Sequence, residues 1–162
     1  MIRLIVICET RSSSKTDYKY IKSVIDYYYK PRSYSIKPIY ATSKPELIKQ
    51  DNKIENEIKH YPGQAIVVLF ADVDLDDNDL NSKIISYCNN KKYELVWMNG
   101  TIEEAFLGRK INNKQKTKEA NKYLEHYLKI LPALNNLNNP SALTTNQSSN
   151  ILLVLDKILD RK

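Results

Sequence analysis

Residues 65–74 are AIVVLFADVD, an apolar run that ends in the acidic residues Asp72 and Asp74. An unbroken apolar run of this length, preceded by Pro62-Gly63, is typical of a buried parallel strand. A second apolar run, IRLIVIC at residues 2–8, ends directly before Glu9. Ligands of open α/β sheets bind at the carboxyl ends of the strands. Both runs therefore place carboxylates where a ligand site is expected.

Strand and helix patterns alternate along the rest of the chain. The patterns predict strands at 2–8, 34–40, 64–71 and 93–98, and helices at 16–30, 45–60, around 80–88, 102–107 and 116–131, with a last helix that carries the apolar residues from Ile151 to Leu159. Ser43 and Glu46 match a capping box before the second helix, and Asn146 is a candidate cap for the last. Such alternation predicts a Rossmann-like α/β fold, with a mainly parallel four-stranded sheet flanked by helices and followed by C-terminal helices.

The order of the strands decides whether the two acidic motifs belong together. In the order 2-1-3-4, strands 1 and 3 are neighbours, and the switch point lies between Glu9 and Asp72. Only this order makes the two motifs one site. The length of 162 residues fits a single domain over 1–162, with residues 109–162 forming a helical extension packed on it.

The chain is basic, with a formal net charge of +6. This charge fits a polyanionic partner such as DNA or RNA, although abundant Lys, Asn, Ile and Tyr also suit an AT-rich coding sequence. A basic segment follows the fourth predicted strand, and its side chains would contact phosphates or form a solvated helix face. The candidate nucleic-acid-binding residues there are Arg109, Lys110, Lys114, Lys116 and Lys118.

Several classes of protein do not fit the sequence. Cys8 and Cys88 are far apart and form no clustered zinc ligand set. The apolar runs are too short for a membrane-spanning helix, so no membrane association is expected. Two thiols in apolar surroundings suit a reducing compartment, and we expect a cytoplasmic protein.

The acidic residues after the third strand can be interpreted in more than one way. Glu9, Asp72 and Asp74 would supply three oxygen donors to Mg²⁺ or Mn²⁺. The aspartates further on, at 76, 77 and 79, fit the preference of a helix N-terminus for negative charge. A calcium loop does not fit, because its required glycine is Asp77 here and its final glutamate is Lys83.

The arrangement of a glutamate after strand 1 and DxD after strand 3 resembles the Toprim fold of topoisomerases, primases and several nucleases. In that family these residues hold Mg²⁺ for phosphoryl transfer. The resemblance assigns catalytic roles to Glu9, Asp72 and Asp74, and makes the same three residues the metal ligands.

Further segments resemble the RloB and AbiLii branch of Toprim-like phage-defence proteins. The matching segments are IVICE at 5–9, KTDY at 15–18 and NGTIEEAFL at 99–107. The last match assigns the family's final acidic, catalytic residue to Glu103, and the first loop makes Lys15 a candidate phosphate contact. Proteins of this branch act in abortive infection, commonly with an AAA-type ATPase partner, so the resemblance implies a Mg²⁺-dependent phosphodiesterase or nuclease.

Some features keep other functions open. Thr10 replaces the usual glycine after the catalytic glutamate, and Glu104 fits a capping box with Thr101. The alternative is a non-catalytic Toprim-like module that docks on a partner or senses nucleic acid. A flavodoxin-like regulator with a phosphorylatable Asp72 is a third possibility, but the acidic pair expected after its first strand is missing.

Overall fold

The computed structural model describes residues 1–73 and 77–162. These residues contain four strands that alternate with helices as the sequence pattern predicts, six α-helices in all, and short 3-10 helices at Pro45–Ile48 and Asn113–Gln115. The strands are β1 Ile2–Glu9, β2 Tyr34–Ala41, β3 Ala65–Val73 and β4 Glu94–Asn99. The helices are α1 Thr16–Tyr28, α2 Asp51–Lys59, α3 Asn78–Lys91, α4 Ile102–Leu107, α5 Lys116–Ala133 and α6 Ile151–Leu155.

The sheet has the predicted order, β2-β1-β3-β4, and all of its pairs are parallel. In the central pair, Ile7 lies opposite Leu69. The α/β fold with its central β1–β3 pair is therefore confirmed. Because parallel neighbours end at the same edge of a sheet, the carboxyl ends of β1 and β3 lie side by side.

Helices cover both faces of the sheet and produce two apolar cores. Even-numbered β1 residues such as Leu4 and Val6 pack with α1, α4, α5 and α6, whereas Ile5 and Ile7 pack on the other face with α2 and α3. This alternation follows from the two-residue period of a strand. Both faces of the central strands are thus buried, which is the reason that their sequences are continuously apolar.

Three local sequence interpretations are wrong. β1 and β3 extend further than predicted, so Glu9 and Asp72 belong to the strands themselves. The helix predicted over 45–60 is a 3-10 helix followed by α2, and Ser43 makes no capping box because Lys44 occupies the cap position. The last helix is shorter than predicted and begins after Asn150 rather than near Asn146. Pro45 keeps its predicted place at the first helical position, but the helix that it begins is a short 3-10 helix rather than an α-helix.

The C-terminal segment protects the exposed edge of β4. The Asn150 side chain accepts a hydrogen bond from the Trp97 backbone N–H (2.8 Å) and donates one to the Leu95 carbonyl (3.3 Å). Ser149 forms an antiparallel bridge with Met98. These bonds satisfy backbone groups that an edge strand would otherwise leave unpaired. They also fix the polar residues just before Ser149 beside the carboxyl end of β4.

Helix α5 is anchored to α1 by aromatic packing. The Tyr123 ring lies 4.6 Å from the Tyr20 ring and 5.8 Å from the Phe106 ring, measured between centroids. The Ser23 hydroxyl donates to the Tyr20 carbonyl (2.6 Å), so the Tyr123 hydroxyl donates to Ser23 Oγ (2.6 Å). This contact sets the position of Lys116, the first residue of α5. No helix in the described parts of the chain is long and apolar enough to span a membrane.

We predict that Tyr123→Ala lowers the free energy of unfolding by about 3–5 kcal/mol, because it removes a buried ring from this cluster. Tyr123→Phe keeps the ring and removes one hydrogen bond, so its cost should be about 1 kcal/mol. Urea denaturation followed by circular dichroism measures both. Equal effects of the two substitutions would contradict the packing role of the ring.

Candidate functional site

Glu9 and Asp72 occupy neighbouring positions at the carboxyl edge of the sheet. Glu9 is the last residue of β1, and Asp72 lies one residue before the end of β3, opposite Met98 of β4. By the alternation of side chains, Asp72 shares the sheet face of Phe70, which α1 and α4 cover, and Glu9 shares the face of Ile7. The two carboxylates therefore approach the edge from opposite faces of the sheet.

Among the described carboxylates of the site, that of Glu103 is the most deeply buried. Its residue is 0% exposed, and neither carboxylate oxygen has a hydrogen-bond partner among the described residues. The neighbouring Glu104 has a different role, because its carboxylate accepts from the Thr101 N–H (2.9 Å) while Thr101 Oγ1 accepts from the Glu104 N–H (3.3 Å). The predicted capping box is thus confirmed. It fixes the start of α4 so that Glu103 faces the interior.

Gly100 makes this capping geometry possible. Its backbone has a φ of +79°, and a Cβ atom there would lie 2.5 Å from Glu104 Oε2. A side chain at this position would therefore collide with the carboxylate that caps α4 and would also strain the backbone. The short turn between β4 and α4 depends on this glycine.

Asp17 is a fourth carboxylate of the site that the sequence reasoning did not select. It lies in the first turn of α1, which starts beside the carboxyl end of β1. Burial, followed by the negative charge of Glu103, raises the pKa of Asp17 to about 8. The KTDY segment at 15–18 contains it, but a lone aspartate in a first helical turn is ordinarily a helix-terminal charge. Only the fold reveals that it joins the other carboxylates.

The pKa of Asp72 responds to the same group of charges. Burial raises it well above its ordinary value, and the negative charges of Asp17, Glu9 and Glu103 raise it further. Lys116 acts in the opposite direction on Asp72 and on Asp17. We call the carboxylates of Glu9, Asp17, Asp72 and Glu103 the acidic cluster. Its members interact electrostatically, which links the ends of β1 and β3 to the starts of α1 and α4.

Lys116 is the cation closest to the buried carboxylate. Its Nζ atom lies 3.9 Å from Glu103 Oε2, which is an ion-pair distance but too long for a hydrogen bond. Lys116 is partly exposed, whereas the Glu103 side chain is 1% exposed. One solvent-accessible ammonium group therefore gives only partial compensation for a carboxylate that has lost its water.

The residues fit a hard cation in chemistry, but the described ones do not form a complete ligand group. Among residues 1–73 and 77–162, no three histidine, cysteine, aspartate or glutamate side chains are grouped so that they could hold a metal ion. Asp74, one of the three predicted ligands, lies outside the described residues. The unpartnered oxygens of Glu103 and the all-oxygen donor set are those that Mg²⁺ prefers.

A cleft of about 790 Å³ opens beside the acidic cluster, between the carboxyl end of β4 and the start of α5. We call it the β4 cleft. Its lining includes Asn99, Lys110, Asn113, Lys116, Asn146 and Gln147. Lys116 belongs both to this lining and to the surroundings of Glu103, so the cleft leads to the cluster.

The predicted basic residues differ in their positions. Lys110 and Lys116 line the β4 cleft. Arg109 is paired with Glu119 at 2.7 Å. The remaining predicted residues, Lys15, Lys114 and Lys118, are exposed. Lys15 is the cap residue of α1 and has a φ of +52°, so it lies at the same end of the sheet.

Thr10 occupies the position at which the resembled family has glycine. Its backbone is not among those with positive φ, so a β-branched residue fits there without strain. The Thr10 N–H donates to the Ala41 carbonyl (2.9 Å), which extends the β1–β2 ladder by one bond. This loop therefore does not need the conformational freedom of glycine.

We predict that the metal-free protein becomes less stable as the pH rises from about 4 to about 8. In this range the unfolded Asp17 and Asp72 release protons that the folded state retains, because both pKa values are raised from 3.8. The slope approaches about 1.4 kcal/mol per pH unit for each such proton. Asp51 and Asp156 have pKa values lowered by bonds from Tyr87 and Arg161, respectively, and they act only at more acidic pH.

Asp17→Asn should reduce this pH dependence, because the amide does not titrate. The matched control is Asp160→Asn, which changes an exposed aspartate at the C-terminus. Urea denaturation in EDTA at several pH values measures the effect. A stability that rises between pH 5 and pH 8 in the wild type would contradict the assignment.

Comparisons with family models, curated proteins and solved structures find no match to this chain. The similarity to Toprim-type defence proteins therefore depends on the residues of the chain itself, and membership of that family remains a prediction. The fold class follows from the strand order and the parallel pairing.

Proposed function

We propose that the protein is a Mg²⁺-dependent phosphodiesterase or nuclease whose active centre is the acidic cluster together with Asp74. The observation that carries the proposal is the state of Glu103, which is fully buried and has no hydrogen-bond partner among the described residues. Folded proteins pair nearly all buried polar groups, and buried charges are paired or coordinate metals. A cation bound at the carboxyl edge of the sheet would supply the missing compensation.

Each residue has a role that suits its chemistry. Asp72 and Asp74 would hold the ion, and the buried carboxylate of Glu103 would add negative charge beside Asp72. When bound, Mg²⁺ polarises the phosphate and lowers the pKa of a coordinated water. Glu9, whose negative charge acts on Asp72 and Asp17 from the end of β1, would accept the proton of the attacking water or supply one to the leaving oxygen. Lys116, at the border of the β4 cleft, would neutralise negative charge on the phosphate.

The reaction would be hydrolysis of a phosphodiester. The oxygen of water forms a bond to phosphorus, the bond from phosphorus to the leaving oxygen breaks, and that oxygen takes up a proton. The products are a phosphomonoester and an alcohol. Nothing in this chemistry requires a covalent enzyme intermediate, so positioned carboxylates and a cation are sufficient.

The biological setting follows from the resemblance alone. A protein of the RloB and AbiLii type would cleave DNA or RNA during abortive phage infection, with an AAA-type ATPase as partner. The basic composition, at +6, is consistent with a nucleic-acid substrate. Cleavage would then require the partner whenever the ATPase controls access to the site.

We predict that Glu9→Gln removes metal-dependent cleavage and leaves the fold intact, because the amide keeps the shape but loses charge and basicity. Loss of a positioned acid or base typically lowers the rate by about 10²–10⁴-fold. The matched control is Glu55→Gln, an exposed residue of α2 on the other face of the sheet. A cleavage assay with DNA, RNA and tRNA, run with Mg²⁺ or Mn²⁺ and with the ATPase, measures both.

If the Glu9→Gln variant cleaved as fast as the wild type, Glu9 would be a structural residue and the mechanism would be wrong. Absence of cleavage by the wild type with every substrate and metal would instead favour the non-catalytic module.

A further inference from the structure

Two lysines and one carboxylate, that of Glu104, line the β4 cleft, so its described charged lining is positive on balance. Lys110 is exposed and makes no ion pair or side-chain hydrogen bond with any described residue. Lys116 lies further in, next to Glu103. The two ammonium groups therefore mark a route from solvent to the acidic cluster. Lysines placed in this way contact phosphates as point charges.

The walls of the cleft are polar but lack the surfaces that bind bases. Its described lining contains the amides of Asn99, Asn113, Asn146 and Gln147, and no aromatic side chain. Proteins that bind single strands through their bases stack them on aromatic rings. Asn113 and Asn146 make no side-chain hydrogen bond with the described residues, so their amides are available to sugar and phosphate oxygens. This composition favours contact with the nucleic-acid backbone.

The backbone of Gln147, in one wall of the cleft, has an energetically unfavourable conformation. Gln147 has a φ of +54°, a left-handed conformation that is unfavourable for a residue other than glycine. Two interactions maintain it: the Gln147 amide donates to the Gly108 carbonyl (3.2 Å), and the Asn136 amide donates to the Gln147 carbonyl. Strained residues held by their surroundings cluster at binding sites.

The size of the cleft limits the form of its ligand. Its volume of about 790 Å³ lies in the range of about 300–1,000 Å³ that is usual for ligand clefts. This volume equals that of a cube about 9 Å on a side, which can hold a short stretch of one strand but not a duplex, whose major groove alone is about 12 Å wide. A phosphate that enters the cleft meets Lys116 beside the buried Glu103.

We propose that the β4 cleft binds the sugar–phosphate backbone of a single nucleic-acid strand, through Lys110 and Lys116, without reading its bases. This inference rests on the proposed function, because the strand is the substrate that the acidic cluster would cleave. In this proposal both lysines contact the same strand, and the acidic cluster cleaves that strand whatever its base sequence.

Binding in EDTA tests the lysines without any cleavage. Fluorescence anisotropy with a labelled single-stranded 12-mer should give an affinity that falls with salt. Lys110→Ala and Lys116→Ala should each reduce the slope of log K against log salt by about 0.7, the value for one phosphate contact on a single strand. The matched control is Lys59→Ala, an exposed lysine at the end of α2, which should leave the slope unchanged. Circular dichroism verifies that all variants are folded.

Two further ligands test the backbone mode. A strand of the same length with abasic sites throughout should bind within about twofold of the parent strand, and the matching duplex should bind at least about tenfold more weakly. Loss of binding by the abasic strand would overturn the proposal, because the bases would then carry the affinity. Equal or tighter binding of the duplex, or slopes unchanged in both lysine variants, would also overturn it.

Failure of this inference can be distinguished from failure of the proposed function. If Lys110→Ala and Lys116→Ala bind as wild type while Glu9→Gln abolishes cleavage, the cleft assignment is wrong and the proposed catalytic function stands. If the wild type shows the predicted binding but no cleavage with any metal, the cleft assignment stands and the catalytic proposal is wrong.

Discussion

The parallel pairing of β1 with β3, in a register that sets Ile7 opposite Leu69, determines where every charged group of the site lies. It brings the ends of two buried strands, with Glu9 and Asp72, to one edge of the sheet. The helices that start at this edge add Asp17 and Glu103. Any shift of register by one residue would move Asp72 to the opposite face, so the apolar core and the site depend on the same constraint.

The acidic cluster combines several negative charges with incomplete compensation. Asp17 and Asp72 respond by binding protons more tightly, as their raised pKa values show, and Glu103 relies on Lys116 at 3.9 Å. Such an arrangement reduces the stability of the metal-free protein, and it is retained in proteins mainly where it serves a function. A bound cation would relieve the repulsion, and the protons that it displaced would be the measurable sign of that exchange. In the proposed function, the β4 cleft would give a phosphate access to the same place.

The strands were predictable because a short, continuous apolar run bounded by turn residues is typical of a buried parallel strand. The order 2-1-3-4 was predicted as the one that makes neighbours of the strands ending near Glu9 and Asp72, and the structure confirms it. The positions of site residues outside the strands could not be predicted, because they depend on tertiary contacts. Asp17 looked like a helix-terminal charge, and the burial of Glu103 required the position of α5. The capping box predicted at Ser43 is absent because the segment forms a 3-10 helix whose cap position is Lys44, one residue later. Asn150 completes the edge of β4 from about 50 residues away, a pairing that no local pattern indicates.

The most direct test of the account is the uptake of Mg²⁺ or Mn²⁺ by the isolated protein, measured by isothermal titration calorimetry at pH 7 in two buffers of different ionisation enthalpy. We expect binding with net release of protons, since the pKa of Asp17 lies at about 8 before the ion arrives. Asp72→Ala combined with Asp74→Ala should abolish the binding. Millimolar metal that produces no binding heat in the wild type, or binding that is unchanged in the double variant, would contradict a metal centre at the carboxyl ends of β1 and β3.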